Sequence, residues 1–142
     1  MAPIALEDSS QAGVYHLPSP RFPELQHRAE QHQYRVRALN LTAHATLPAV
    51  LKAIGQQLAF PEWYGQNLDA LFDCLTDPEV TPDTPTVLLI NGLDALTSHN
   101  PEGYAALLEV LTAVCDTRRQ AGVALWIAVD APASGLPVLP TR

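Results

Sequence analysis

Two short apolar runs, Thr86–Ile90 (TVLLI) and Val123–Val129 (VALWIAV), bracket one long amphipathic stretch. A strand that is apolar on both faces needs a sheet covered on both sides. Parallel sheets with helical crossovers meet that condition. The first run is bounded by Pro85 and by Asn91-Gly92, and Gly122 opens the second. Between them Asn100 and Pro101 form a cap and first-position pair for a helix. Its apolar stripe is Tyr104, Leu107, Leu108, Leu111 and Val114 or Cys115.

The upstream half repeats the theme. Gly13–Leu17 reads as a possible short strand that Pro18 and Pro20 end, and 23–33 reads as a helix with Leu25 and Ala29 inward. Residues 34–41 alternate, with Tyr34, Val36 and Ala38 against the polar Arg35, Arg37 and Asn40, which is a strand signal. Thr46 is the N-cap of a helix striped by Leu47, Val50, Leu51, Ile54 and Leu58. Gly55 costs that helix up to about 1 kcal/mol relative to Ala. Pro61 stops it, and Asn67 caps a short helix over 67–75. Residues 77–85 are Pro-rich loop.

The expected fold is α/β: a small parallel β-sheet of three or four strands packed by helices, with right-handed crossovers. At 142 residues there is room for one core. The expected division is a flexible start over 1–12, an N-terminal extension over 13–33, a main domain over 34–130 and an irregular Pro-rich tail over 131–142.

Charge narrows the function. The formal net charge is −7, and between Lys52 and Arg118 stand ten acids and no Lys or Arg. Such a field attracts a basic protein and repels nucleic acid. No apolar run approaches the roughly 20 residues of a membrane span. The start MAPIALEDSSQ carries acids where a secretory signal has basic residues. A reducing cytoplasm follows, with Cys74 and Cys115 as buried free thiols, although sequence alone leaves a disulfide between them open.

Catalytic patterns are missing. No Ser lies in a nucleophile elbow, the five His have no metal-ligand spacing, and no Gly-rich phosphate loop follows a strand. The expectation is therefore no enzyme, no cofactor and no metal. What stands out is Phe60–Thr76, FPEWYGQNLDALFDCLT. Asp69 and Asp73 sit at i and i+4, so a helix puts both carboxylates on one side, while Leu68, Leu71, Phe72 and Leu75 give it a buried flank. Like charges at that spacing cost a helix a few tenths of a kcal/mol. Trp63 and Tyr64 lie between Pro61 and Gly65, where at least one should be exposed. Trp126 belongs to the core.

The segment Pro61–Thr76 (PEWYGQNLDALFDCLT) closely resembles the signature loop and helix of the barstar family of intracellular ribonuclease inhibitors. The element order from Tyr34 to Val129 is similar to that family's fold. The resemblance implies a non-catalytic protein that plugs the active site of a basic ribonuclease or a nuclease toxin domain, as an immunity protein or antitoxin does. By position, Asp73 matches the family's central carboxylate, which takes the place of a substrate phosphate, and Asp69 its neighbour. Trp63 stands where a Tyr packs on the nuclease, and Phe72 where the family has a Trp. Tyr64, Gly65, Asn67 and Thr76 match other positions of the partner-binding surface. The resemblance implies no direct contact with nucleic acid or membrane, and a monomer before binding.

There are departures. The family's acidic contact on the last helix falls near Thr117, and the adjacent Asp116 points about 100° away on a helix of 3.6 residues per turn. A Trp beyond the short helix is replaced around Pro78. The familiar second cysteine aligns with Val123, so Cys115 is not its counterpart. These positions bear on which nuclease is bound. The alternative is an interaction module that kept the fold and binds a basic protein other than a nuclease.

Overall fold

The computed structural model of the chain describes residue 6 and residues 8–139. In chain order the regular elements are β1 (Val14–His16), α1 (Phe22–Gln31), β2 (Arg35–Asn40), α2 (Leu47–Gln57), α3 (Leu68–Thr76), β3 (Thr86–Asn91), α4 (Asp94–His99), α5 (Pro101–Gln120) and β4 (Leu125–Val129). The four strands are all parallel, in the order β1-β4-β3-β2. The fold is thus α/β, as the apolar runs required.

Local chemistry sets the boundaries. The Thr46 hydroxyl accepts from Ala49 N–H to start α2, and Asn100 Oδ1 accepts from Gly103 N–H to start α5. Both helices carry Pro in the first turn. α4 has no counterpart in the sequence pattern, because six residues are too few to show helical periodicity.

The two sheet faces carry separate halves of the core. On one face Leu88, Ile90, Leu125 and Ile127 pack under α2, α3 and α5. On the other Val87, Leu89, Trp126 and Ala128 meet Phe22, Leu25 and Ala29 of α1. Burying both parities of β3 and β4 explains their unbroken apolar sequences. β2, at the sheet edge, is covered only in part: Leu39 is buried against the first cluster, while Tyr34 and Val36 flank the second and Arg35, Ala38 and Asn40 are exposed.

The flexible start expected over 1–12 lies partly outside the described residues. Of the rest, Leu6 and Ala12 are buried beside Trp126, and Tyr34 Oη donates to Leu6 O at 2.9 Å. The expected tail reaches past the described residues at 140–142. Before that point His16 N–H donates to Pro137 O, Leu139 N–H donates to His16 O, and Leu139 is buried. Cys74 and Cys115 are both free and buried, so no disulfide links them. Among the described residues no helix is long and apolar enough to cross a membrane.

Candidate functional site

α3 and the loop before it hold every sequence-selected site residue. Asn67 is extended at φ −130°, and its Oδ1 accepts from Ala70 N–H at 2.8 Å, so α3 begins at Leu68. Asp69 falls in the first turn, where a carboxylate complements the helix dipole. Leu71, Cys74 and Leu75 are buried toward the core. Asp69 and Asp73 are exposed on the opposite side. No ion pair among the described residues involves either carboxylate. Phe72 is half-buried against the core. The Thr76 hydroxyl donates to Phe72 O at 2.8 Å, so its hydrogen bond turns back into the helix.

The loop parts two neighbours. Trp63 is 57% exposed, whereas Tyr64 is 8% exposed. The Tyr64 ring meets Phe60 edge to face at 4.9 Å between centroids, and its hydroxyl donates to Leu51 O of α2 at 2.8 Å. Burial pushes the Tyr64 phenol up to about 12. Tyr64, selected as a partner-binding residue, thus faces inward and anchors the loop along α2, which turns Trp63 outward. Gly65 is exposed beside it. Ala59 and Gln66 take left-handed backbone at φ 56° and 55°, bending the chain at each end of this return. A shallow hollow of about 510 Å³ opens between the starts of α2 and α3, lined by Leu47, Leu51, Leu68 and Asp69.

Two residues position the site through contacts that the sequence did not show. Arg118 of α5 is 4% exposed. Its Nη1 donates to Leu75 O at 3.2 Å, and its Nη2 to Pro82 O at 3.0 Å and Thr84 O at 3.4 Å. One guanidinium thereby ties the end of α3 to the Pro-rich loop. Burial lowers its pKa from the usual arginine range, and Asp83 acts in the opposite sense. Its signal was an Arg continuing the apolar stripe of α5, four residues after Val114. Gly55 is the second, since it makes room for the Tyr64 ring.

Asp116, adjacent to the exposed Thr117, is held by Arg119 at 2.7 Å, and Arg119 also donates to Ala12 O at 2.8 Å. The α5 carboxylate nearest the expected contact is thus engaged within the fold. At the end of β3, Gly92 and Leu93 N–H both donate to the Asp130 carboxylate, at 2.8 and 3.1 Å. Backbone donors that could cradle an anion at this turn are already filled. Among the described residues no three His, Cys, Asp or Glu side chains gather as a metal site.

The family model described as Barstar (barnase inhibitor) matches residues 34–130. The chain belongs to the barstar family. The match runs from the residue before β2 to the residue after β4, so it takes in the loop, α3 and α5 of this barstar-family chain. Solved structures with a similar fold include the ORC2 protein of Aeropyrum pernix in its ADP form, with a TM-score of 0.59 at 15% identity. A second, of its ADPNP-ADP complexes, has a TM-score of 0.54 at 15% identity. The alignments cover 91% and 86% of this chain but only 38% and 36% of those chains. At that identity the likeness concerns the fold alone, and the barstar match carries the family assignment.

Proposed function

We propose that this barstar-family protein is a stoichiometric, non-catalytic inhibitor of a basic ribonuclease or nuclease toxin domain. The observation that carries this is the pairing of exposed Asp69 and Asp73 on one side of α3, without an ion-pair partner among the described residues, beside the outward Trp63. Carboxylates on a short, capped helix suit a cleft lined with Arg, Lys or His⁺, because charge-assisted hydrogen bonds form there at fixed geometry. Trp63 adds apolar area at low entropy cost. Phe72, Asn67, Gly65 and Thr76 shape and brace the same surface, and Tyr64 holds its loop. The net charge of −7 accelerates encounter with a basic enzyme and makes that rate fall with salt. Residues 34–130 would carry the binding, with the preceding and following segments closing the sheet. The protein would act as a cytoplasmic monomer until it meets its nuclease.

The test is an inhibition titration against small basic ribonucleases and any toxin encoded beside this gene. Inhibition should reach completion at one inhibitor per enzyme. Asp73→Ala should weaken the complex by at least about 2 kcal/mol. Inhibition that survives an Asp69→Ala/Asp73→Ala double variant would move the site elsewhere. Absence of inhibition, with selective capture of a basic non-nuclease protein, would favour the interaction-module alternative.

A further inference from the structure

Arg35 and Arg37 occupy strand positions whose parity belongs to the core. They alternate with Val36 and share the face of β2 on which Leu39 is buried beneath the α2 and α3 layer. The register sets Arg35 beside Thr86 and Arg37 beside Leu88, with Leu125 next across the sheet from Thr86. Two guanidinium side chains therefore flank an apolar floor.

The helix layer stops short above that floor. α2 is capped at Leu58, α3 ends at Thr76, and the chain then crosses through Val80 to Pro82. A chamber of about 160 Å³ is left, walled by Leu58, Phe60, Leu75, Val80, Leu88 and Leu125, and Arg35 and Arg37 line it as well. Arg35 is exposed and Arg37 half-buried. Among the described residues neither makes an ion pair, and Arg37 donates only to Gln57 O, at 3.1 Å. The hydroxyls of Thr81 and Thr86, on the same lining, already donate to Cys74 O and Thr84 O. The free polar capacity facing this chamber is thus cationic, in a protein of net charge −7.

We infer that the chamber binds a small organic monoanion, with a six-carbon ring or short chain inside and its carboxylate on Arg35 and Arg37. An apolar cavity of about 150 Å³ accepts benzene, so the volume suits one ring. Guanidinium groups match carboxylate oxygens in paired, charge-assisted hydrogen bonds. An incoming anion also relieves the repulsion between two like charges on adjacent same-face positions. Inorganic phosphate would leave the apolar walls unfilled, and a neutral ring would leave the guanidinium pair unanswered. This site is separate from the Asp69–Asp73 surface and does not depend on the inhibitor proposal.

The test is an amide NMR titration of the full chain with benzoate, toluene and inorganic phosphate as probes. Benzoate should bind saturably and shift the amides of residues 35–37, 80–81 and 86–88. Toluene and phosphate should each bind at least tenfold more weakly. Arg35→Gln, at an exposed position, should weaken benzoate at least threefold, and Arg35→Gln/Arg37→Gln at least tenfold, with the dispersion of the spectrum retained. Val80→Phe should fill the chamber and abolish the shifts. The proposal is overturned by non-saturating shifts, by phosphate binding as tightly as benzoate, or by benzoate affinity unchanged in Arg35→Gln.

Discussion

The ring of Tyr64 occupies the space that a side chain on Gly55 would need. A Cβ placed on Gly55 would stand 2.5 Å from Tyr64 Cε2 and 2.6 Å from Cδ2. Such approaches cannot be absorbed without moving the ring, and the ring is held by Phe60 and by its hydrogen bond to Leu51 O. A residue that weakens α2 locally is therefore what lets the 61–67 loop dock.

Gly55→Ala tests this directly. Helix propensity alone would stabilise α2 by up to about 1 kcal/mol. Overpacking against Tyr64 should reverse the sign and destabilise the protein by about 1–3 kcal/mol. Urea unfolding decides between them, and a net gain in stability would mean that the ring relocates freely.

Trp63 and Tyr64 should separate binding from stability. Trp63→Ala should change unfolding by no more than about 0.5 kcal/mol, as at other exposed positions, while weakening the proposed complex with a nuclease by at least about 2 kcal/mol. Tyr64→Phe removes the buried hydrogen bond to Leu51 O and should cost about 1 kcal/mol of stability. Denaturation and calorimetric titration of both variants give the four numbers. Equal stability losses would contradict the inward and outward assignment.

Arg118→Met should release the end of α3. The variant keeps apolar bulk but withdraws hydrogen bonds from Leu75, Pro82 and Thr84 carbonyls. A loss of about 2–3 kcal/mol is expected for charged donors at a buried site. Hydrogen exchange should accelerate over 76–84 before it does in β4. Uniform acceleration would show that Arg118 supports the whole core instead of this junction.

Alkaline pH should unfold the protein through its buried acids. Burial pushes the Cys115 thiol from 9.0 up to about 12 and the Tyr64 phenol from 10.0 up to about 12. Between those limits the unfolded chain has lost protons that the native state retains. Stability is then complete below pH 9 and falls as pH rises toward 12. Denaturant midpoints at pH 7, 9 and 10.5 should drop in that order, and Cys115→Ala should flatten the first part of the decline. A midpoint that rises across this range would refute the burial of these groups.

Much of this was legible along the chain. The α2, α3 and α5 starts were marked by Thr46, Asn67 and Asn100, because an N-cap is satisfied by atoms three residues away. The Asp69 and Asp73 pairing needed only helical spacing. β2 was recognised as a strand from its alternation, yet its inward side was only half visible. Tyr34 and Val36 signalled one face, while Arg35 and Arg37 concealed the core parity that Leu39 reveals.

By itself, then, the sequence determined the α/β class, the strands and main helices, and the acidic side of α3. Those follow from periodicity, capping and apolar runs, whose causes lie within a few residues. Only the tertiary structure decided that Tyr64 turns in and Trp63 out, that Arg118 clasps the end of α3, and that Arg35 and Arg37 overlook a chamber. Each depends on what a distant segment places opposite: Gly55 under the Tyr64 ring, three carbonyls around Arg118, and a helix layer that ends short of β2. Packing between segments far apart in sequence is fixed by shape and by unsatisfied polar groups, and neither is written in local spacing.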